Sequence, residues 1–338
     1  MEQLDAPFPY WGGKRKVAGE VWTRFGKLDT YVEPFFGSGV VLLRRPQPFT
    51  GTETVNDLDG YIANFYRAIR LAPEETARWA DSPVNENDLH ACHYWLLKQH
   101  DSLAERLEGD PEWCDPKIAG WWCWGMCCWI GSGFCSGQGP WRAIDGKLVN
   151  TREPQGGVSR KLSHLGDNGR GIKRQRPHLG GGGAHGKGTG QGMVAHSADI
   201  YTWFTGLSAR LKRVRVCCGD WSRVCGPSVT FKHGIAGVFL DPPYSAEANR
   251  NNALYRCESA TVAQDVCAWA IEAGKRKDMR IALCGYDGEH DMPPEWSIYE
   301  WNAGAGLGGQ AAERTNNGKR ERIYFSPHCL SAKQGRLF

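Results

Sequence analysis

The chain has 338 residues, 41% of them apolar and 23% charged, with 41 Lys and Arg against 37 Asp and Glu. That composition excludes a fibrous or disordered chain and suffices for two domains, or one domain with a large insertion. A net charge of +4 is too mild to argue for a nucleic-acid partner, so any such case rests on where the charge sits.

In chain order, Met1 to Pro9 lacks the basic start and apolar core of a secretory signal. Leu28 to Glu33 predicts a short strand, Pro34 to Gly39 a turn, and Val40 to Arg45 the start of a helix. Thr52 to Asn56 predicts a second strand. Leu58 to Leu71 carries Ile62, Phe65, Tyr66 and Ile69 at helical spacing and stops at Ala72-Pro73. Glu74 to Leu107 is charged and helical in period. Ile118 to Trp141 is uncharged and Trp-rich, but its glycines and few aliphatics favour a buried helix and loop over a membrane span. Ala143 to Val149 predicts a hairpin turning at Asp145-Gly146.

Composition then shifts. Residues 156–192 hold 13 glycines and seven Lys or Arg against one acid, Asp167, and read as a mobile basic loop. Order returns with a helix at Ile200, Phe204, Leu207 and Leu211, and a strand from Arg213 to Cys217. A buried strand, Ala236 to Leu240, runs straight into Asp241-Pro242-Pro243-Tyr244. Val262 to Lys275 predicts a helix and Arg280 to Cys284 a strand. Ile298 to Trp301 and Arg322 to Ser326 predict a terminal hairpin. Strands alternating with helices at both ends imply a largely parallel α/β sheet. Residues 1–74 and 196–338 then form one discontinuous domain, interrupted by an insertion at 75–195.

Thirteen cysteines without dense spacing read as reduced thiols in a cytoplasm. No Cys-x-x-Cys occurs, and His90 and His93 read as helix residues, so no metal is expected.

Two segments carry chemistry. Phe35-Phe36-Gly37-Ser38-Gly39 sits between a strand and a helix, where two glycines let the backbone turn tightly and approach a ligand. Asp57 follows Gly37 by 20 residues at the end of the next strand, a place from which an acid can bind the two hydroxyls of a ribose. Leu42 stands where a dinucleotide fingerprint needs its third glycine, and no Gly-Lys-Ser/Thr follows. A nucleoside cofactor without a pyrophosphate fits better than NAD or ATP. The second segment is Asp241-Pro242-Pro243-Tyr244. Its prolines remove two N–H donors and leave a carboxylate and a prolyl carbonyl as acceptors, with a tyrosine ring beside them. That set suits an exocyclic amino group on a planar base.

The chain resembles the Dam-like (D12 class) DNA adenine-N6 methyltransferases. Pro9-Tyr10-Trp11-Gly12-Gly13-Lys14 is similar to the family's N-terminal motif, and Val32 to Gly39 to its S-adenosylmethionine loop. Asn56-Asp57 is similar to its acidic element, Gly219-Asp220-Trp221 to a further segment, and Asp241 to Tyr244 to its catalytic motif. The resemblance implies a Rossmann-like sheet with an inserted, mainly helical target-recognition domain. It implies S-adenosylmethionine as cofactor, held by Tyr10, Lys14, Phe36, Gly37, Gly39, Asp57, Asp220 and Asp241. It implies transfer to adenine N6 in double-stranded DNA through Asp241, Pro242, Pro243 and Tyr244. Trp141 and Arg142 on the hairpin, and Arg160, Lys161, Arg170, Lys173, Arg174 and Arg176 in the basic loop, are the expected DNA contacts. The hairpin lacks the family's Arg-Tyr-Asn, so no target sequence is implied. A cytoplasmic monomer is expected, with no membrane contact and a cognate restriction enzyme as a candidate partner. Cytosine N4 presents the same amine chemistry, and a DNA binder without catalysis is the other alternative.

Overall fold

A computed structural model of the chain describes residues 4–10, 13–110, 112–129, 134–135, 141–144, 147–150, 200–244, 261–301 and 320–331. Its centre is a seven-stranded sheet. The strands are β1 (Thr30–Glu33), β2 (Thr52–Asp57), β5 (Val214–Cys218), β6 (Ala236–Leu240), β7 (Met279–Tyr286), β8 (Ser297–Glu300) and β9 (Glu321–Phe325). Their order is β5-β2-β1-β6-β7-β9-β8. The first five run parallel, and β9 runs antiparallel to both β7 and β8. A separate hairpin pairs β3 (Trp141–Ile144) with β4 (Lys147–Asn150).

The central strands β1 and β6 are buried along their whole length, because parallel strands are covered by helices on both faces. Their side chains alternate between two cores. Tyr31, Phe239, Ala282 and Cys284 face one, and Val32, Val238, Leu240, Ile281 and Leu283 the other. Helix α8 (Val262–Gly274) covers the second core with Val266 and Ala270, together with Trp296.

The first core holds α1 (Ala18–Phe25), α2 (Val40–Leu43), α3 (Gly60–Leu71) and α7 (Ile200–Leu211). Helix α1 has no counterpart among the elements read from the sequence. It buries Ala18, Val21, Trp22 and Phe25 and ends at Gly26 with φ 54°, so its apolar stripe is too short for a periodicity window to register. The helical stretch predicted as one at Glu74 to Leu107 is two helices, α4 (Pro73–Ala80) and α5 (Glu86–Gly109). Between them Pro83 interrupts the ladder, and Asn85 restarts it by accepting the N–H groups of Asn87 and Asp88.

The uncharged Trp-rich stretch begins as α6 (Pro116–Cys128), with Trp122 and Trp124 fully buried and Asp115 capping the Ile118 N–H. No helix among the described residues is long and apolar enough to cross a membrane. Helices α4, α5 and α6 bury Ala77, Leu89, Leu96 and Trp122 in the same core as Phe65 of α3 and Phe204 of α7. The described part of residues 75–195 therefore adds a helical layer continuous with the sheet's own core. The basic stretch 156–192 lies outside the described residues.

Candidate active site

Four parallel strands end at one rim of the sheet. The chain leaves β1 through Pro34–Ser38, β2 through Leu58–Asp59, β5 through Gly219–Trp221 and β6 through Asp241–Pro243, and all four exits line a single cleft. Strand order reverses here: the chain moves outward from β1 to β2 and β5, then crosses to β6 on the other side of β1. Open α/β sheets bind ligands at such a point.

The glycine loop has its shape for steric reasons. Gly37 has φ 49°, and a Cβ there would come within 2.6 Å of the Tyr10 ring, so the position requires glycine twice over. Gly39 has φ 69° and opens α2; a Cβ on it would meet the Phe36 ring at 2.5 Å. Tyr10, Phe36 and Gly37 line the cleft, whereas Gly39 stands behind it and shapes the turn.

Asp57 ties this loop to the next strand. Its Oδ2 accepts the Gly37 N–H at 2.8 Å and its Oδ1 the Asp59 N–H at 3.0 Å. Burial raises its carboxyl to about 7, against the pull of those two N–H groups. Asn56, not singled out from the sequence as a site residue, staples the rim: its amide donates to the Pro34 carbonyl at 3.1 Å and the Gly219 carbonyl at 2.9 Å. Asp220 caps the following short turn by accepting the Ser222 N–H at 2.9 Å, and it also lines the cleft. The Phe35 and Trp221 rings stack at 6.4 Å and 26° on the same wall.

The second half of the site is a charge cluster around Asp241. Lys14 approaches from the segment before α1, with its Nζ 2.9 Å from Asp241 and 3.8 Å from Glu321 at the start of β9. The same Nζ donates to the Tyr244 hydroxyl at 3.1 Å. That hydroxyl donates to Glu321 at 2.8 Å and lies 3.4 Å from Asp241. Burial works against the Lys14 ammonium, but the carboxylates of Asp241 and Glu321 outweigh it and hold its pKa above the usual lysine value. Burial raises the Glu321 carboxyl although Lys14 opposes the rise. Pro242 is buried and Pro243 lines the cleft. The Tyr244 ring packs against Tyr286 at 4.6 Å and 63°, so both its edge and its hydroxyl are held.

Two carboxylates of this site escaped the sequence reading. Glu321 opens a strand predicted from its apolar alternation, and nothing local marks its burial at 5% exposure. Glu33 ends β1 inside a motif read for its glycines; it lines the cleft and accepts the Tyr31 hydroxyl at 2.8 Å. Burial pushes its carboxyl well up, with that hydroxyl opposing.

Of the expected DNA contacts, Trp141 and Arg142 lie on β3, in a hairpin beside α5. Arg160, Lys161, Arg170, Lys173, Arg174 and Arg176 lie outside the described residues. Among the described residues no three His, Cys, Asp or Glu side chains gather as a metal site. His93 is buried and accepts the Cys135 N–H at 3.1 Å; burial lowers its pKa to about 3.

Residues 10–99 match the family model of the D12 class N6 adenine-specific DNA methyltransferases. They are D12 class methyltransferase sequence. The reaction of the D12 class is transfer of a methyl group from S-adenosylmethionine to N6 of adenine in DNA. The match includes Tyr10, Lys14, Gly37, Gly39 and Asp57 and stops well before Asp220 and Asp241. The fold brings those later residues to the same rim. No curated protein matches the chain.

Proposed function

We propose that the cleft holds S-adenosylmethionine and that the chain methylates N6 of an adenine flipped out of double-stranded DNA. The observation that carries the reading is the charge of the lining. Glu33, Asp57, Asp59, Asp220 and Asp241 face Lys14 alone among cations. Such a wall repels phosphates and suits a ligand with a cationic sulfonium and an ammonium. When bound, the cofactor supplies an electrophilic methyl group on a positively charged sulfur.

The residues divide the work by position. Asp57 accepts the ribose hydroxyls with the oxygens that already order the glycine loop. Phe35 and Trp221 give a flat apolar wall for the adenine ring, with Asp220 at its edge. Asp241 and the Pro242 carbonyl accept the two hydrogens of the target amino group, which localises its nitrogen lone pair for attack. The base must leave the duplex to reach them. Placement and electrostatics then supply most of the acceleration. Trp141 and Arg142 on the hairpin, and the basic residues of 156–192, take the DNA.

Asp57 makes cofactor binding depend on pH. Its folded pKa is raised above the unfolded value, so the stability it contributes is full below the ordinary carboxyl range and is lost as pH rises through about 7. Binding that needs the ionised carboxylate releases a proton below that pH. Affinity for S-adenosylmethionine should rise by about tenfold per pH unit up to neutrality and then level off. Calorimetry from acid to mildly alkaline pH measures this, and Asp57→Asn should bind weakly with no such slope.

The decisive experiment is product identification. Purified protein, labelled S-adenosylmethionine and unmethylated DNA are incubated, and the nucleosides are resolved by mass spectrometry. The expected product is N6-methyladenine. N4-methylcytosine would overturn the base assignment, and cofactor binding without any methylated nucleoside would favour a non-catalytic DNA binder.

A further inference from the structure

We propose that Glu321, through the Tyr244 hydroxyl, is the terminal acceptor of the proton that the methylated amino group must lose. The inference rests on the methyl-transfer reading above and extends it to a residue of β9 that lies outside the matched segment. When the N6 lone pair takes the methyl group, a nitrogen–carbon bond forms. The carbon–sulfur bond breaks with its electron pair going to sulfur. N6 is left positively charged with one proton in excess. That proton needs an outlet from a site closed to bulk water.

The geometry offers one. Asp241 is placed against the amino group. Its Oδ1 lies 3.4 Å from the Tyr244 hydroxyl, which in turn lies 2.8 Å from Oε2 of Glu321. The proton passes from N6 to Asp241 and from Asp241 to the phenol oxygen, while the phenol proton moves to Glu321. Asp241 ends as a carboxylate, Tyr244 as a neutral phenol and Glu321 as a neutral acid. Glu321 gives the proton to solvent once product leaves. Lys14 keeps its charge throughout, because its ion pair with Asp241 at 2.9 Å fixes it there.

Glu321 suits the terminal position. It is 5% exposed, and burial raises its affinity for a proton. Lys14 and Asp241 face it from one side and Tyr244 from another. Cys284 and Tyr286 of β7 flank the cluster, and Glu289 beyond β7 adds a second negative field. Lys14 alone would neutralise Asp241. The second carboxylate gives the cluster a net negative charge facing the cation that forms at N6. Without the phenol, Glu321 and Asp241 have no described bridge besides Lys14.

The test is Glu321→Gln, which keeps an acceptor for the Tyr244 hydroxyl but cannot take a proton. At saturating cofactor and DNA, kcat should fall by about 10–100-fold, at the lower end of what a positioned acid–base group contributes. KM for both substrates should stay within about twofold of the wild type if the loss is one of proton transfer alone. The acid limb that Glu321 gives to the kcat profile should disappear. A protonated-carboxyl infrared band formed in the wild-type product complex should be missing in E321Q. Tyr244→Phe should lose the same limb, and the double variant should be no slower than the slower single one. If E321Q does not fold, Tyr244→Phe carries the test alone. An unchanged limb in Tyr244→Phe, or a folded E321Q with wild-type kcat or an unchanged infrared band, overturns the inference. Failure of the wild type to make N6-methyladenine overturns the underlying reading instead.

Discussion

Asp241→Ala is expected to lower the single-turnover rate of methyl transfer by about 10³-fold or more, the scale on which removal of one preorganised polar group from an active site is felt. The fold should survive, because Lys14 keeps Glu321 at 3.8 Å as a counter-charge and the Tyr244 hydroxyl at 3.1 Å. Cofactor affinity should change far less than the rate, since Asp57 and the glycine loop stand on other strands. Rapid-quench measurement with labelled cofactor, beside a thermal melt, separates the two effects. A variant retaining a tenth of the wild-type rate would remove Asp241 from the chemistry.

Lys14→Met is expected to cost stability as well as activity. Lys14 is 3% exposed and Glu321 7% at the side chain, so the substitution strands two carboxylates in the protein interior. Removing one partner of a buried ion pair costs about 3–5 kcal/mol. The raised Lys14 pKa has the same sign: its stabilisation is present below the unfolded lysine pKa and is lost only as pH rises through a still higher folded value, so the full effect acts at neutrality. In the variant Glu321 takes up a proton, and the deficit should shrink in acid. Denaturant unfolding at neutral and acid pH tests both statements. A loss below about 1 kcal/mol at neutral pH would mean the cluster is hydrated like a surface pair.

Particular residues show how far the sequence could be read. The order of strands and helices was legible because the buried strands are short apolar runs and the helices repeat at 3.6 residues. Ile200–Leu211 and Ala236–Leu240 stand where their patterns put them. Helix α1 was not legible, being only eight residues long and closed by Gly26. The break between α4 and α5 was written in Pro83 and Asn85, but the charge pattern runs across it. Membership of α4–α6 in the sheet's own core could not be read at all. It depends on which apolar stripes meet, and Trp-rich composition alone does not say against what the tryptophans pack.

The same division holds at the site. By itself the sequence determined which chemical groups are present: two glycines after one strand, an acid after the next, and an Asp-Pro-Pro-Tyr after a third. These are local, because a strand's end, a turn's φ and a proline's missing donor are properties of a few adjacent residues. Only the tertiary structure decided which groups share a field. Lys14, Asp241, Tyr244 and Glu321 come from a pre-helical segment, the end of β6 and the start of β9, and Tyr244 and Glu321 stand 77 residues apart. Strand order brings them within hydrogen-bonding reach, and burial lowers the dielectric around them. Both are outcomes of packing over the whole sheet, and no window of the sequence contains them.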